Sequence, residues 1–96
     1  MELTIIARFH ARAGQAQAVA GAIRAVVAAT GQERGCLAIA AYGATRDPDL
    51  FFIHSRWTDE AAFDLHAELP HTVKFLATVE GLIDHAFDIN RVRALE

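Results

Sequence analysis

Apolar and polar residues alternate from position 2 to 10, where Leu3, Ile5, Ala7 and Phe9 fall on one face of ELTIIARFH. A period of two predicts a half-buried strand. The period changes after ARAG. Over 15–30, Ala16, Val19, Ala20, Ile23, Val26 and Val27 make one stripe at helical spacing, and the alanines favour helix intrinsically. Gly31 is a natural stop, and GQERG (31–35) reads as a loop. Apolar strands are expected over 36–44 (CLAIAAYGA) and 50–57 (LFFIHSRW), joined as a hairpin by the turn residues TRDPD. Thr58 or Asp59 can cap the next helix by accepting an orphan backbone N–H. Pro70 cannot donate within that helix but suits the first turn of another, which predicts a break near 69–70. The second piece runs to about Glu80, and 83–92 (IDHAFDINRV) is expected to be a fourth strand.

The order β-α-β-β-α-β predicts an α+β, ferredoxin-like fold: a four-stranded antiparallel sheet with helices on one face. The helix-facing side is expected to carry Leu3, Ile5, Phe9, Leu37, Ile39, Phe51, Ile53, Trp57, Ile83, Phe87 and Ile89. The other side is mixed. It has Ile6, Ala38, Ala40, Tyr42, Leu50, Phe52 and Ala86 among Arg8, His10, His54, Arg56, Asp84, Asp88 and Asn90. That is more apolar area than a monomer usually exposes. Burying ~800 Å² of such a face gains roughly 20 kcal/mol at about 25 cal/mol per Å². Association costs on the order of 4–15 kcal/mol. The balance predicts a homodimer through the sheet face, with Arg and Asp side chains fixing its register.

Composition narrows the class. Ninety-six residues make one domain, 1–96, and 53% apolar against 22% charged residues excludes disorder. No apolar run approaches a membrane span, and the N-terminus lacks the charge and apolar pattern of a secretory leader. The single cysteine, Cys36, fits a reducing, cytoplasmic setting. A net charge of −3 gives no footprint for nucleic acid.

Candidate chemistry centres on WTDEAAFDLHAELPHTVKF (57–75). His66 and His71 are five residues apart, about 140° around one continuous helix, so they do not share a face as an i, i+4 metal pair does. No cysteine or nearby carboxylate spacing completes a ligand set, and no metal is expected. His66 lies three residues from Phe63 and from Leu69, on the buried stripe. It is either a core histidine bonded to a carbonyl or a base lining a cavity. His71 opens the second helix and has Phe75 four residues on. Trp57 is either core or one wall of an aromatic-binding cavity. Cys36 reads as a small packing hydrophobe.

Over nearly the whole chain, ARAGQAQAVAGAI, GCLAIAAY and RDPDLFFIHSRWTDEAAFDLHAELPHTVKF resemble the antibiotic biosynthesis monooxygenase (ABM) family. The resemblance rests most on a tryptophan ending the third strand, an acidic helix start, and a histidine followed by a Pro-His pair. It implies a dimeric α/β barrel with a small-molecule cavity between helices and sheet. It also implies a cofactor-independent monooxygenase of a small aromatic, phenol- or quinol-like substrate. On that reading His66 is the catalytic base, and Trp57, Phe63, His71 and Phe75 bind substrate, with no cofactor. The chain departs from the family pattern at Ile39, where many members have tyrosine, and at Ser55, where many have glutamate. Leu76 stands about where the haem-degrading branch has its histidine, so haem turnover is not expected. With fewer polar groups to stabilise charge, a non-catalytic dimeric module that binds a small ligand is the alternative.

Overall fold

The computed structural model describes residues 1–96. Strand β1 (Leu3–His10), helix α1 (Ala16–Thr30), strands β2 (Cys36–Gly43) and β3 (Leu50–Trp57), helices α2 (Glu60–Glu68) and α3 (Pro70–Glu80), and strand β4 (Asp88–Val92) follow in that order. The strands form one antiparallel sheet, β2-β3-β1-β4. This is the ferredoxin-like arrangement, with the second helical segment divided in two. Its shortest dimension is 21 Å, the depth of one sheet and one layer of helices.

Register follows from the alternation in β1. Leu3, Ile5, Ala7 and Phe9 are buried and pair with Trp57, Ser55, Ile53 and Phe51 across β3. A slip of one residue would turn all four to solvent. Helix α1 buries Val19, Ile23, Val26 and Thr30 on one stripe, and α3 buries Thr72, Phe75 and Val79. Phe75 meets Phe9 edge to face, with centroids 5.6 Å apart. Gly14, at φ 77°, makes the left-handed turn before α1.

Two expectations fail for local reasons. The fourth strand is shorter than 83–92. Ile83 is buried and makes a single bridge to Ala11, but the ladder resumes only at Asp88, and Phe87 is 40% exposed. In the gap, side chains replace the backbone ladder: the His10 N–H donates to His85 Nε2 at 2.8 Å, and His85 Nδ1 donates to the Ala86 carbonyl at 2.6 Å. In β2 a bulge between Cys36 and Ala38 leaves Leu37 with no opposite residue, and it is 47% exposed rather than packed under the helices.

The sheet face away from the helices is uncovered. Ile6 and Tyr42 are 41% and 56% exposed, and Leu50, Phe52 and His54 are half-buried. At its rim the His10 ring joins two loops, with Nδ1 2.7 Å from Asp84 Oδ2 and Nε2 3.3 Å from Asp47 Oδ2. The bond to Asp84 holds the imidazole above its ordinary 6.5; desolvation opposes it, and the charges of Asp84 and Asp47 add to it. A folded pKa above the unfolded one stabilises fully below about 6.5 and is lost as pH rises through the raised value. Melting temperature against pH is therefore expected to fall across that window in the native protein. Asp84→Asn flattens this fall; an unchanged slope in Asp84→Asn would assign it to another group.

Candidate functional site

Asp59, rather than Thr58, caps α2: its carboxylate accepts from the Ala62 N–H at 2.8 Å. His66 is the only buried residue of that helix. The helix ends because Pro70 disfavours helical backbone at the residue before it, and Leu69 is extended at φ −72°, ψ 147°. The Leu69 carbonyl then accepts from the Thr72 and Val73 N–H groups, each at 3.0 Å, and starts α3 in a new direction. This corner undoes the separation that a continuous helix would impose. The His66 and His71 rings come within 6.0 Å, centroid to centroid.

What joins them is Glu33, from the loop between α1 and β2. Its Oε2 lies 2.7 Å from His66 Nδ1 and 2.7 Å from His71 Nε2, and Thr72 Oγ1 is 3.2 Å from the same His66 nitrogen. The Glu33 and His66 side chains are each 11% exposed. The loop is held on both sides. The Glu33 N–H donates to the Thr30 carbonyl, the Glu33 carbonyl accepts from Cys36, and the Gly35 carbonyl accepts from Thr58. Gly35 presses so close to α2 that a Cβ on it would stand 2.5 Å from the Ala62 methyl. Burial, and then the charge of Glu33, pushes the Cys36 thiol up, so Cys36 stays a protonated packing residue.

The hydrogen bonds fix a tautomer. A carboxylate only accepts, so His66 Nδ1 and His71 Nε2 both carry hydrogen. In a neutral ring that leaves His66 Nε2 as a bare lone pair, and no group of the chain bonds to it. The His66 ring lies 4.7 Å from Trp57, tilted by 40°, and 5.5 Å from Phe63. Trp57 is itself 1% exposed and donates its Nε1–H to Ser55 Oγ at 3.0 Å.

A cavity of about 80 Å³ lies between helices and sheet beside His66. Phe63, His66 and Phe75 are on its wall, with Ile39, Ile53 and the hydroxyl-bearing Thr30, Ser55 and Thr72. Trp57 is not on the wall; it lies behind Ser55 and His66. Nor is His71, which borders a groove of about 270 Å³ between α1 and α3 with Ala22, Lys74 and Phe75. The structure thus gathers three of the five expected site residues around one void and sets two outside it.

Glu33 escaped the sequence reading, which found no ligand spacing among carboxylates near the two histidines. The three facing atoms of Glu33, His66 and His71 lie within 4.8 Å of one another, a donor set that suits a divalent transition metal. Here they satisfy each other, and the outer nitrogens of both rings lack the acceptors that usually orient metal-bound histidines. The only sequence signal for Glu33 is its place two residues before a glycine, in a loop whose partner lies 33 positions away.

Fold and site define a ferredoxin-like domain with a carboxylate-bound histidine beside a helix–sheet cavity. The chain belongs to the antibiotic biosynthesis monooxygenase (ABM) family, whose model matches residues 3–78. PA3566 from Pseudomonas aeruginosa is 32% identical and superposes with a TM-score of 0.91 over 99% of this chain and 95% of its own. Rv0793 from Mycobacterium tuberculosis is 23% identical, with a TM-score of 0.93 over 100% and 97%. A crystal structure of an antibiotic biosynthesis monooxygenase is 24% identical, with a TM-score of 0.91 over 98% and 99%. No curated protein matches the chain in sequence. No helix is long and apolar enough to cross a membrane.

Removing Glu33 strands two ring N–H groups in a mostly buried place. Glu33→Ala is expected to lower unfolding free energy by about 1–3 kcal/mol, the cost of unsatisfied buried donors. Urea denaturation measures it; a loss within error would mean that water replaces the carboxylate at no cost.

Proposed function

We propose that this protein is a cofactor-independent monooxygenase of a small phenol or quinol, with His66 as the base. The 2.7 Å hydrogen bond that His66 Nδ1–H donates to Glu33, beside a largely apolar void, carries the reading. Glu33 holds the ring with Nε2 free to accept, and its charge stabilises the imidazolium that forms. The same division of labour operates in carboxylate–histidine pairs of hydrolases. His66 Nε2 takes the phenolic proton. The electron-rich anion then reacts with O₂ at a ring carbon bearing hydrogen. One oxygen stays on the carbon and the other leaves as water with that hydrogen and the proton, so phenol and O₂ give quinone and water. Low polarity around the anion favours its oxidation over quenching by water. Phe63 and Phe75 supply apolar walls; Trp57 supports His66 from behind, and His71 acts through Glu33.

Oxygen uptake across a panel of phenols and hydroquinones tests this. His66→Gln preserves a donor to Glu33 but removes the base, and it is expected to lose about 10²–10⁴ in kcat while staying folded. Undiminished uptake in His66→Gln takes His66 out of the chemistry. The other reading, a binding module without turnover, is favoured by Ile39 and Ser55 on the wall, which leave the void with few polar groups to support proton transfer or a developing charge. Thermal stabilisation by a phenol with no oxygen uptake would establish it.

The working unit of the proposal is a homodimer joined sheet to sheet in the cytoplasm, a reducing setting that suits the free thiol of Cys36. The exposed Ile6 and Tyr42, with the Arg8–Asp88 cross-strand pair among them, support that interface. Sedimentation equilibrium at micromolar concentration is expected to give twice the 10.5 kDa chain mass. A 10.5 kDa species there would remove the dimer from the proposal.

A further inference from the structure

Thr30 closes α1 with no exposure at all, and its Oγ1 is the one buried side-chain polar atom without a hydrogen-bond partner. A hydroxyl in that state destabilises the fold relative to valine, which has nearly its shape. Its surroundings do not ask for one: Val26 and Ile39 border the same void. The other hydroxyls there are engaged. Ser55 Oγ accepts from Trp57 Nε1 at 3.0 Å, and Thr72 Oγ1 sits 3.2 Å from His66 Nδ1. Only Thr30, which borders the 80 Å³ cavity, has a hydroxyl with no partner; the oxygen is covered in this structure, and a guest reaches it as the wall gives.

We infer that Thr30 is a ligand-binding residue whose hydroxyl holds a second oxygen of the bound molecule, and that the ligand is a single ring bearing two oxygens. One oxygen goes to His66 and the other to Thr30; in this the inference rests on the reading of His66 given above. Size sets the ring count. The void, at about 80 Å³, is roughly half the ~150 Å³ that admits one benzene ring in a dry core. One ring therefore needs the wall to give, and fused rings need it to give further. The wall is least enclosed on one side. Phe63 is only partly buried, and Ile89 on the edge strand is 40% exposed. Over Phe63, at 5.1 Å, lies the Arg91 guanidinium, held by Glu60 and Asp64. These groups are on the surface side, away from the sheet centre.

Calorimetric binding of phenol, the three benzenediols and 1,8-dihydroxyanthracene under nitrogen tests the inference without any turnover. One benzenediol is expected to bind about tenfold more tightly than phenol to the native protein, the worth of one good hydrogen bond. Thr30→Val is expected to erase that preference, and Thr30→Ser to keep it. Thr30→Val is also expected to melt at or above the native temperature, because it removes an unsatisfied group. Four results overturn the inference: a diol preference that survives in Thr30→Val, no diol preference in the native protein, the fused ring binding as tightly as the diol, or a clear drop in melting temperature. If oxygen uptake shows His66 to be uninvolved and the Thr30 preference still stands, the base assignment alone has failed.

Discussion

Glu33 Oε2 accepts from rings on both sides of the Leu69 corner, and through it the loop after α1 is fastened to the junction of α2 and α3. Without that oxygen the two helices would meet the sheet with a polar gap between them. With it, the histidine that is the sole buried residue of α2 has a fixed ring plane and a fixed tautomer. The roof of the void beside His66 is held by these directional bonds as well as by the packing of Phe75 on Phe9. Trp57 and Ser55 do the same on the floor, where the indole N–H takes the serine oxygen and leaves bulk behind the cavity instead of in it.

The fold was legible in the sequence because its cause is periodic. Alternation in β1, the α1 stripe and the Pro70 interruption each act within a few residues, and all appear where expected. The misses lie where a single contact overrides the pattern. Leu37 has the right parity for the core, but a bulge beside it changes the count. Phe87 lies in a strand-like run, yet the His85 ring takes the His10 N–H that a ladder would have used. ABM membership was likewise readable, and the family model spans residues 3–78, which include the tryptophan and the Pro-His pair.

The site was legible only in part, for the opposite reason. His66 stands out because a histidine on an apolar stripe is visible in one helix. Glu33 and Thr30 do not, because neither breaks a pattern: one is a charged residue in a loop, the other an ordinary helix terminus. Their significance arises from juxtaposition across the tertiary structure, and from a bond that is missing in one case and doubled in the other.

The contact at Gly35 has a bearing on how such a pocket can be reshaped. Because a single methyl has no room between that glycine and Ala62, loop and helix form one rigid unit that carries both the carboxylate and the imidazole. Descendants or designs that seek a larger guest must therefore keep that backbone and gain volume by side-chain exchange, at Phe63 or at Ile89 on the β4 edge. There, volume can change while the proton-handling pair travels undisturbed.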